Sequence, residues 1–269
     1  MSERDVSRHS PTTRFSARVA DYVRYRPRYP HAVLDALIAE TGLTPDSVIA
    51  DIGSGTGFSA EMFLAHGNEV YGVEPNADMR HAGEQVLAAW PRFHSIAATA
   101  EETTLPAQSM DYVLCGQSLH WFDLARARIE FARILKPGGW LAVLWNTRAV
   151  DATDFMRKYE ALVLEYTTDF KQIFHGNVSP QEIAGLFAAG VHVRRAFAHA
   201  QRFDFAGLLG RTTSSSYMPR AGDDRYPAME SALRALFARY AAGEHVEYHY
   251  SAELIFGHIA EVASHGGQP

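Results

Sequence analysis

The chain has 269 residues, 47% apolar and 21% charged, with a formal net charge of −6 and a single cysteine. That size suits one large α/β domain, or one with a modest lid, and the acidic balance argues against a nucleic-acid-binding face. A lone cysteine excludes an internal disulfide and a multi-cysteine zinc site. No apolar run reaches membrane-spanning length, and the polar stretch from Met1 to Arg14 lacks a signal-peptide segment, so a cytoplasmic protein without a membrane partner is expected.

In chain order, residues 1–13 are polar and read as a flexible N-terminus. Phe15, Val19, Tyr22 and Val23 share one helical face, Pro27 and Pro30 break that helix, and another is expected from about His31 to Glu40. From Val48 to Asn146 strands and helices alternate, as in a doubly wound, mostly parallel α/β sheet, giving a core over residues 14–148. Asp111 to Cys115 and Trp140 to Trp145 are short apolar runs expected as central strands. Between them Leu124, Ala127, Phe131 and Leu135 form a buried helical stripe behind Asp123, a good N-cap. Past Arg148 the alternation lapses. Residues 149–190 read as a helical extension, 191–203 and 244–257 as strands completing the sheet, and 204–241 as a helical lid insertion. From Val246 to Phe256 every even position is apolar or aromatic, a strand with one buried face.

Function is most legible in Val48-Ile49-Ala50-Asp51-Ile52-Gly53-Ser54-Gly55-Thr56-Gly57. It is a buried strand that ends in an acid and breaks into a glycine turn, followed by a helix opening at Phe58. Glycines at alternate positions let a backbone approach a ligand closely, and the helix start makes a nucleotide-type pocket at the carboxyl end of a parallel sheet. The third glycine of a dinucleotide fingerprint is replaced by Phe58, and no lysine between Asp46 and Asn76 supplies a phosphate loop. An acidic loop without a cation suits a positively charged ligand lacking phosphates. S-adenosylmethionine has that character: adenine, ribose, a sulfonium and an amino-acid end. Glu74, at the end of the next strand and 21 residues beyond Gly53, stands where a carboxylate reaches ribose hydroxyls.

As an ordered set these motifs resemble a class I S-adenosylmethionine-dependent methyltransferase of the small-molecule group. Asp51 to Gly57 is similar to that family's first motif, Val73-Glu74-Pro75 to its second and Ala100-Glu101 to its adenine-side motif. Ser109 to Val113 resembles the fourth strand, Gln117-Ser118-Leu119-His120-Trp121-Phe122 the loop after it, and Arg133 to Gly139 the approach to the fifth. The likeness covers about residues 14–147. Beyond Arg148 it is looser, where Arg211 to Tyr217 and the strand near Tyr250 look similar to the trans-aconitate methyltransferase-like subgroup.

The resemblance implies seven strands in the order 3-2-1-4-5-7-6 with strand 7 antiparallel. It implies a cofactor site in which Gly53, Ser54, Gly55, Gly57 and Phe58 line the methionine half and Asp51 faces its ammonium. Glu74 would hold the ribose, Pro75 and Met79 would pack on the adenine, and Ala100-Glu101 would meet its amino edge. Arg26 would pair with the cofactor carboxylate, Tyr22 or Tyr25 would cover the site, and Gln117, Ser118, His120 and Trp121 would wall the methionine end. His120 is also the candidate catalytic base for a hydroxyl or carboxyl acceptor. Tyr25, Trp145, Arg211 and Tyr217 are candidate substrate contacts, an arginine there suiting a carboxylate.

The loop after strand 4 lacks an Asn/Asp-Pro-Pro-Tyr signature, which favours a small-molecule acceptor over DNA or a protein amide. Oxygen methylation of a carboxyl or hydroxyl is the favoured reaction, in a monomer or homodimer. Metal binding is not expected, because His245 and His249, four apart on a strand, stand about 13 Å from one another. Two other readings stay open, a nicotinamide-dependent oxidoreductase and a non-catalytic S-adenosylmethionine-binding protein.

Overall fold

Seven strands form one sheet in the order β3-β2-β1-β4-β5-β7-β6, mostly parallel with an antiparallel pair, as expected. The structure, a computed structural model, describes residues 23–167 and 178–259. Tyr22 and the N-terminal 1–13 segment lie outside the described residues. The strands are β1 (Val48–Ile52), β2 (Glu69–Val73), β3 (Phe93–Ile96), β4 (Met110–Gly116), β5 (Leu135–Arg148), β6 (Val193–Phe203) and β7 (Val246–His258). Among them run α1 (His31–Thr41), α2 (Phe58–His66), α3 (Ala77–Val86), α4 (Leu124–Ile134), α5 (Asp154–Tyr166), α6 (Pro180–Ala184), α7 (Phe205–Thr213) and α8 (Tyr226–Tyr240).

Two units make up the chain, and each has its own apolar core. Among the described residues, the sheet unit comprises residues 31–145, 178–195 and 253–259. There β1 lies between β2 and β4 in parallel register, with Asp51 opposite both Gly72 and Leu114. Parallel strands end on the same side, so Ile52, Val73 and Gly116 deliver their following loops to one edge. Ile52, Val73, Val113 and Val143 of the strands and Phe131 of α4 are fully buried in this core, consistent with a sheet covered by helices.

Boundaries follow local chemistry. The carboxylate of Asp123 accepts from the backbone N–H groups of Ala125 (3.1 Å) and Arg126 (3.2 Å), starting α4 as expected. That helix stops at Ile134, one residue before the expected stripe ends. Pro137 disfavours the α conformation at Lys136, and Leu135 is already extended (φ −69°, ψ 137°) as β5 begins. β6 starts at Val193, two residues later than expected, after a left-handed Ala189 (φ 50°).

Among the described residues, the helical unit comprises residues 23–30, 146–167 and 196–252. Met156, Tyr159, Leu208, Met229, Leu233 and Tyr248 form its core. The expected lid insertion resolves into α7 and α8, separated by a turn-rich stretch containing Pro219 and Gly222. No helix among the described residues is long and apolar enough to cross a membrane.

Replacing the fully buried Phe131 by Ala should destabilise the protein by about 3–5 kcal/mol. Asp123→Ala, which removes only a cap, should cost about 1 kcal/mol. Urea titrations of both variants compare the two terms directly.

Candidate functional site

At the shared strand edge of the sheet unit, backbone hydrogen bonds set the glycine loop. Val73 O accepts from both Gly53 N (2.8 Å) and Ser54 N (3.1 Å), pinning the turn to the end of β2. Ser54 O accepts from Gly57 N at 2.8 Å and closes it. Gly53 (φ 69°) and Gly57 (φ 83°) adopt left-handed backbone that side chains rarely tolerate.

The sequence reading gave these glycines to a ligand; at two of them the structure shows a second reason for glycine, namely the protein's own packing. A Cβ on Gly53 would lie 2.5 Å from Ser118 Cβ, and one on Gly57 would lie 2.5 Å from Leu87 Cδ1. Protein packing already excludes a side chain at both positions. Gly55 differs: the atoms nearest to its Cβ position are Met79 Cε at 3.3 Å and Gly53 O at 4.0 Å. A further glycine escaped the sequence reading. Gly83, inside α3, brings that helix so close that its Cβ would meet Gly55 O at 2.9 Å. A glycine in the middle of a helix, costly by propensity, was the available signal.

Two carboxylates frame the loop. Glu74 is 8% exposed, and its Oε2 accepts from Gly55 N (3.0 Å) while Oε1 accepts from Asn76 N (2.8 Å). Burial raises its pKa, partly offset by those two N–H donors. Each oxygen keeps a second lone pair, so the group can accept further hydroxyl donors. Asn76 in turn caps α3, accepting from Asp78 N and Met79 N, and so fixes Met79 beside Gly55.

Asp51 is fully buried. Its Oδ2 accepts from Ser59 Oγ at 2.7 Å, and the Ala60 N–H adds a second bond to the carboxylate. It thereby serves the start of α2, whose N-cap Gly57 has no side chain to do so. Oδ1 is buried without a hydrogen-bond partner among the described residues. Burial pushes the carboxyl up to about 7, against the lowering effects of Ser59 and Ala60. An orphaned buried acceptor is the form expected of a group that meets an ammonium when a ligand arrives. Ser59 was missed because a serine in a helix's first turn carries no pattern of its own. Cys115, fully buried, has a thiol pushed well up by burial and further by Asp51, so it is packing and not a nucleophile.

The loop after β4 turns through a left-handed Gln117 (φ 58°), and Ser118 Oγ donates to Ile52 O at 2.7 Å. His120 lies 4.6 Å from the ring of Trp121 and 5.6 Å from that of Trp145. Its Nδ1 is buried with no hydrogen-bond partner among the described residues, and burial lowers its pKa to about 4. The imidazole is therefore neutral at pH 7 and a weak proton acceptor. Glu101 Oε1 accepts from Asp123 N (2.9 Å), so this residue ties the adenine-side motif to the start of α4. Ala100 and Met79 are buried and Pro75 is exposed.

The remaining expected residues belong to the helical unit. Arg26 Nη2 points to Ser214 O and Ser215 Oγ, both at 3.4 Å. A Cβ on Gly210 would run into the Tyr25 ring, so the glycine makes room for it, and Tyr217 accepts from Arg148 Nη1 at 2.8 Å. Arg211 is 3% exposed and donates through Nε to Tyr250 OH at 2.9 Å.

Residues 50–143 match the family described as a methyltransferase domain. An uncharacterized methyltransferase of Mycobacterium tuberculosis is 37% identical over 142 residues, 53% of this chain and 56% of that protein. An uncharacterized methyltransferase-like protein of Schizosaccharomyces pombe is 33% identical over 156 residues, 58% of this chain and 59% of that protein. The chain thus spans just over half the length of the curated relatives it matches. Among solved structures, a protein of Anaeromyxobacter dehalogenans described as a type II methyltransferase aligns with a TM-score of 0.62 at 22% identity. That alignment covers 88% of this chain and all of the other, and supports a shared fold.

Two buried groups titrate in opposite senses. Asp51 has a native pKa above its unfolded value of about 4, so the stability it contributes at low pH is lost as pH rises towards 7. His120 has a native pKa below its unfolded value, so the stability it contributes above pH 6.5 is lost as pH falls towards 4. In urea denaturation between pH 4 and 7, Asp51→Asn should make stability rise more steeply with pH than in the parent. His120→Gln should make it rise less steeply. An unchanged slope in either variant contradicts the burial assigned to that residue.

Proposed function

We propose that this protein is an S-adenosylmethionine-dependent methyltransferase acting on a small-molecule acceptor, with oxygen methylation of a carboxyl or hydroxyl favoured. The observation that carries the reading is the buried Asp51 with an unsatisfied Oδ1, set behind a glycine loop that Glu74 clamps from the next strand. The match of residues 50–143 to a methyltransferase domain supports it. Among subgroups, the trans-aconitate methyltransferase-like one fits the sequence best beyond Arg148.

When bound, the cofactor supplies a methyl group already activated by a sulfonium leaving group. The protein's part is then alignment, exclusion of water and, for a hydroxyl acceptor, a place for a proton. Glu74 fits the ribose because its two backbone bonds leave lone pairs for two hydroxyl donors. Asp51 fits the ammonium, since a positive charge beside Oδ1 satisfies the orphan and brings the carboxyl back towards an ordinary value. Met79, held by the Asn76 cap, supplies an apolar, polarizable surface for a flat base. The rings of Trp121 and Trp145 around the neutral His120 suit an apolar wall better than a base, since a pKa near 4 gives little driving force for proton removal.

Calorimetry with S-adenosylhomocysteine tests the site on the full chain. Binding is expected, with net proton release at pH 6 as Asp51 ionises against the ammonium, and Glu74→Gln should weaken affinity by about tenfold or more. Absence of binding by the unaltered protein, or binding of a nicotinamide dinucleotide instead, sinks the reading. In assays with methyl-labelled cofactor, His120→Ala should lower turnover by less than about tenfold. A loss of about 100-fold with cofactor affinity intact would make it the base.

A further inference from the structure

In the helical unit α5 and α8 pack antiparallel. The ring of Phe155, at the start of α5, lies 6.1 Å from that of Tyr240 at the end of α8. At the opposite end Arg225, just before α8, donates to the backbone oxygens of Glu165 and Thr167, where α5 finishes. Between these ends the seam is left open as a groove of about 320 Å³. Its floor is Ala161 and Leu162 of α5 with Ala232, Ala235 and Leu236 of α8. The side chains at a helix contact decide how far the seam is filled, and three alanines leave it open.

Charge is distributed along the groove in one direction. Lys158 of α5 and Arg239 of α8 both line it, and because the helices run in opposite senses both stand towards the Phe155–Tyr240 end. Neither pairs with a carboxylate among the described residues. The Arg239 guanidinium lies 5.5 Å from the ring of Tyr240. Glu165 lines the other end, seven residues beyond Lys158 on α5, a distance of about 10 Å.

We propose that this groove is a binding site for a medium-chain carboxylate, an amphiphile of fatty-acid type. Its headgroup sits between Lys158 and Arg239, and its apolar tail lies along the alanine floor towards Glu165. The volume is that of a small-molecule site, near the lower end of a range of about 300–1,000 Å³. A protein partner needs about 800 Å² of each surface, and a floor about 10 Å long supplies only a fraction of that. Removing apolar area from water drives the tail into the groove, while guanidinium and ammonium together select an anionic head. Glu165 fixes the direction and disfavours a second negative charge at the tail end. The site stands on the helical unit's own residues, none of them an expected cofactor or substrate contact. It holds whether or not the chain transfers a methyl group.

Octanoate is the probe, titrated calorimetrically into the full chain. Saturable binding at one site is expected, with a dissociation constant below about 1 mM. Octan-1-ol keeps the tail and loses the charge, so it should bind at least about threefold more weakly. The double variant Lys158→Gln/Arg239→Gln should lose a similar factor for octanoate and none for octan-1-ol. Ala235 is exposed, so Ala235→Phe should fill the groove and abolish octanoate binding without entering the core. The charge variant alters only exposed side chains and carries the test if Ala235→Phe is unstable. No saturable octanoate binding, equal affinity for octan-1-ol, or an affinity indifferent to these substitutions overturns the proposal. So does self-association of the chain that Ala235→Phe abolishes without octanoate, which gives the groove to a second copy.

Discussion

Glu74 ties the glycine loop to the start of α3 by accepting Gly55 N with one oxygen and Asn76 N with the other. Both bonds are made by a carboxylate that is almost wholly buried, where hydrogen bonds to an ionised group are strong and their loss is severe. The Asn76 cap, the placement of Met79 and the close seat of Gly83 on Gly55 O follow from that clamp. Val73 O reinforces it from the same strand end by holding Gly53 and Ser54. A loop that would be floppy on its glycine content is thus fixed from a neighbouring strand, which is the condition for a site that recognises one ligand geometry.

The strand order was an expectation carried by the family resemblance, whereas the acidic ends of β1 and β2 were legible because they rest on short apolar runs, each broken by a turn at its carboxyl end. Asp51 and Glu74 stand out in sequence for the same reason: an acid closing a buried strand has few structural excuses. What the sequence could not show was which atoms crowd each glycine. Ser118 and Leu87 lie far along the chain from Gly53 and Gly57, and only the fold brings them together. Ser59 was invisible for the opposite reason, being a single small residue in a helix whose role depends on what faces it, and Gly83 offered only the weak signal of a glycine inside a helix.

Beyond Arg148 the sequence was less informative, and the physical reason is compositional. The helical unit builds its interior from tyrosines and arginines as well as aliphatic residues, so apolar periodicity underreports what is buried. Tyr159, Tyr248 and Tyr250 are among its most enclosed side chains. Arg148, with its Glu160 partner, gave no signal at all. Arginine and tyrosine pack well together because the planar cation stacks on the ring face while its edges hydrogen-bond to phenol oxygens. Such an interior also leaves polar capacity over, as the hydroxyl of Tyr248 shows, buried without a hydrogen-bond partner among the described residues.

The sealed state of Cys115 has a practical corollary. The sole thiol of the chain is enclosed and protonated well past neutral pH, so alkylating dyes should pass over the native protein. Cysteines introduced at exposed positions such as Ile129 or Leu164 would then be the reactive ones, without first deleting the natural residue. A fluorophore pair attached there would place one label in each unit, turning any rearrangement between them into a measurable change in energy transfer.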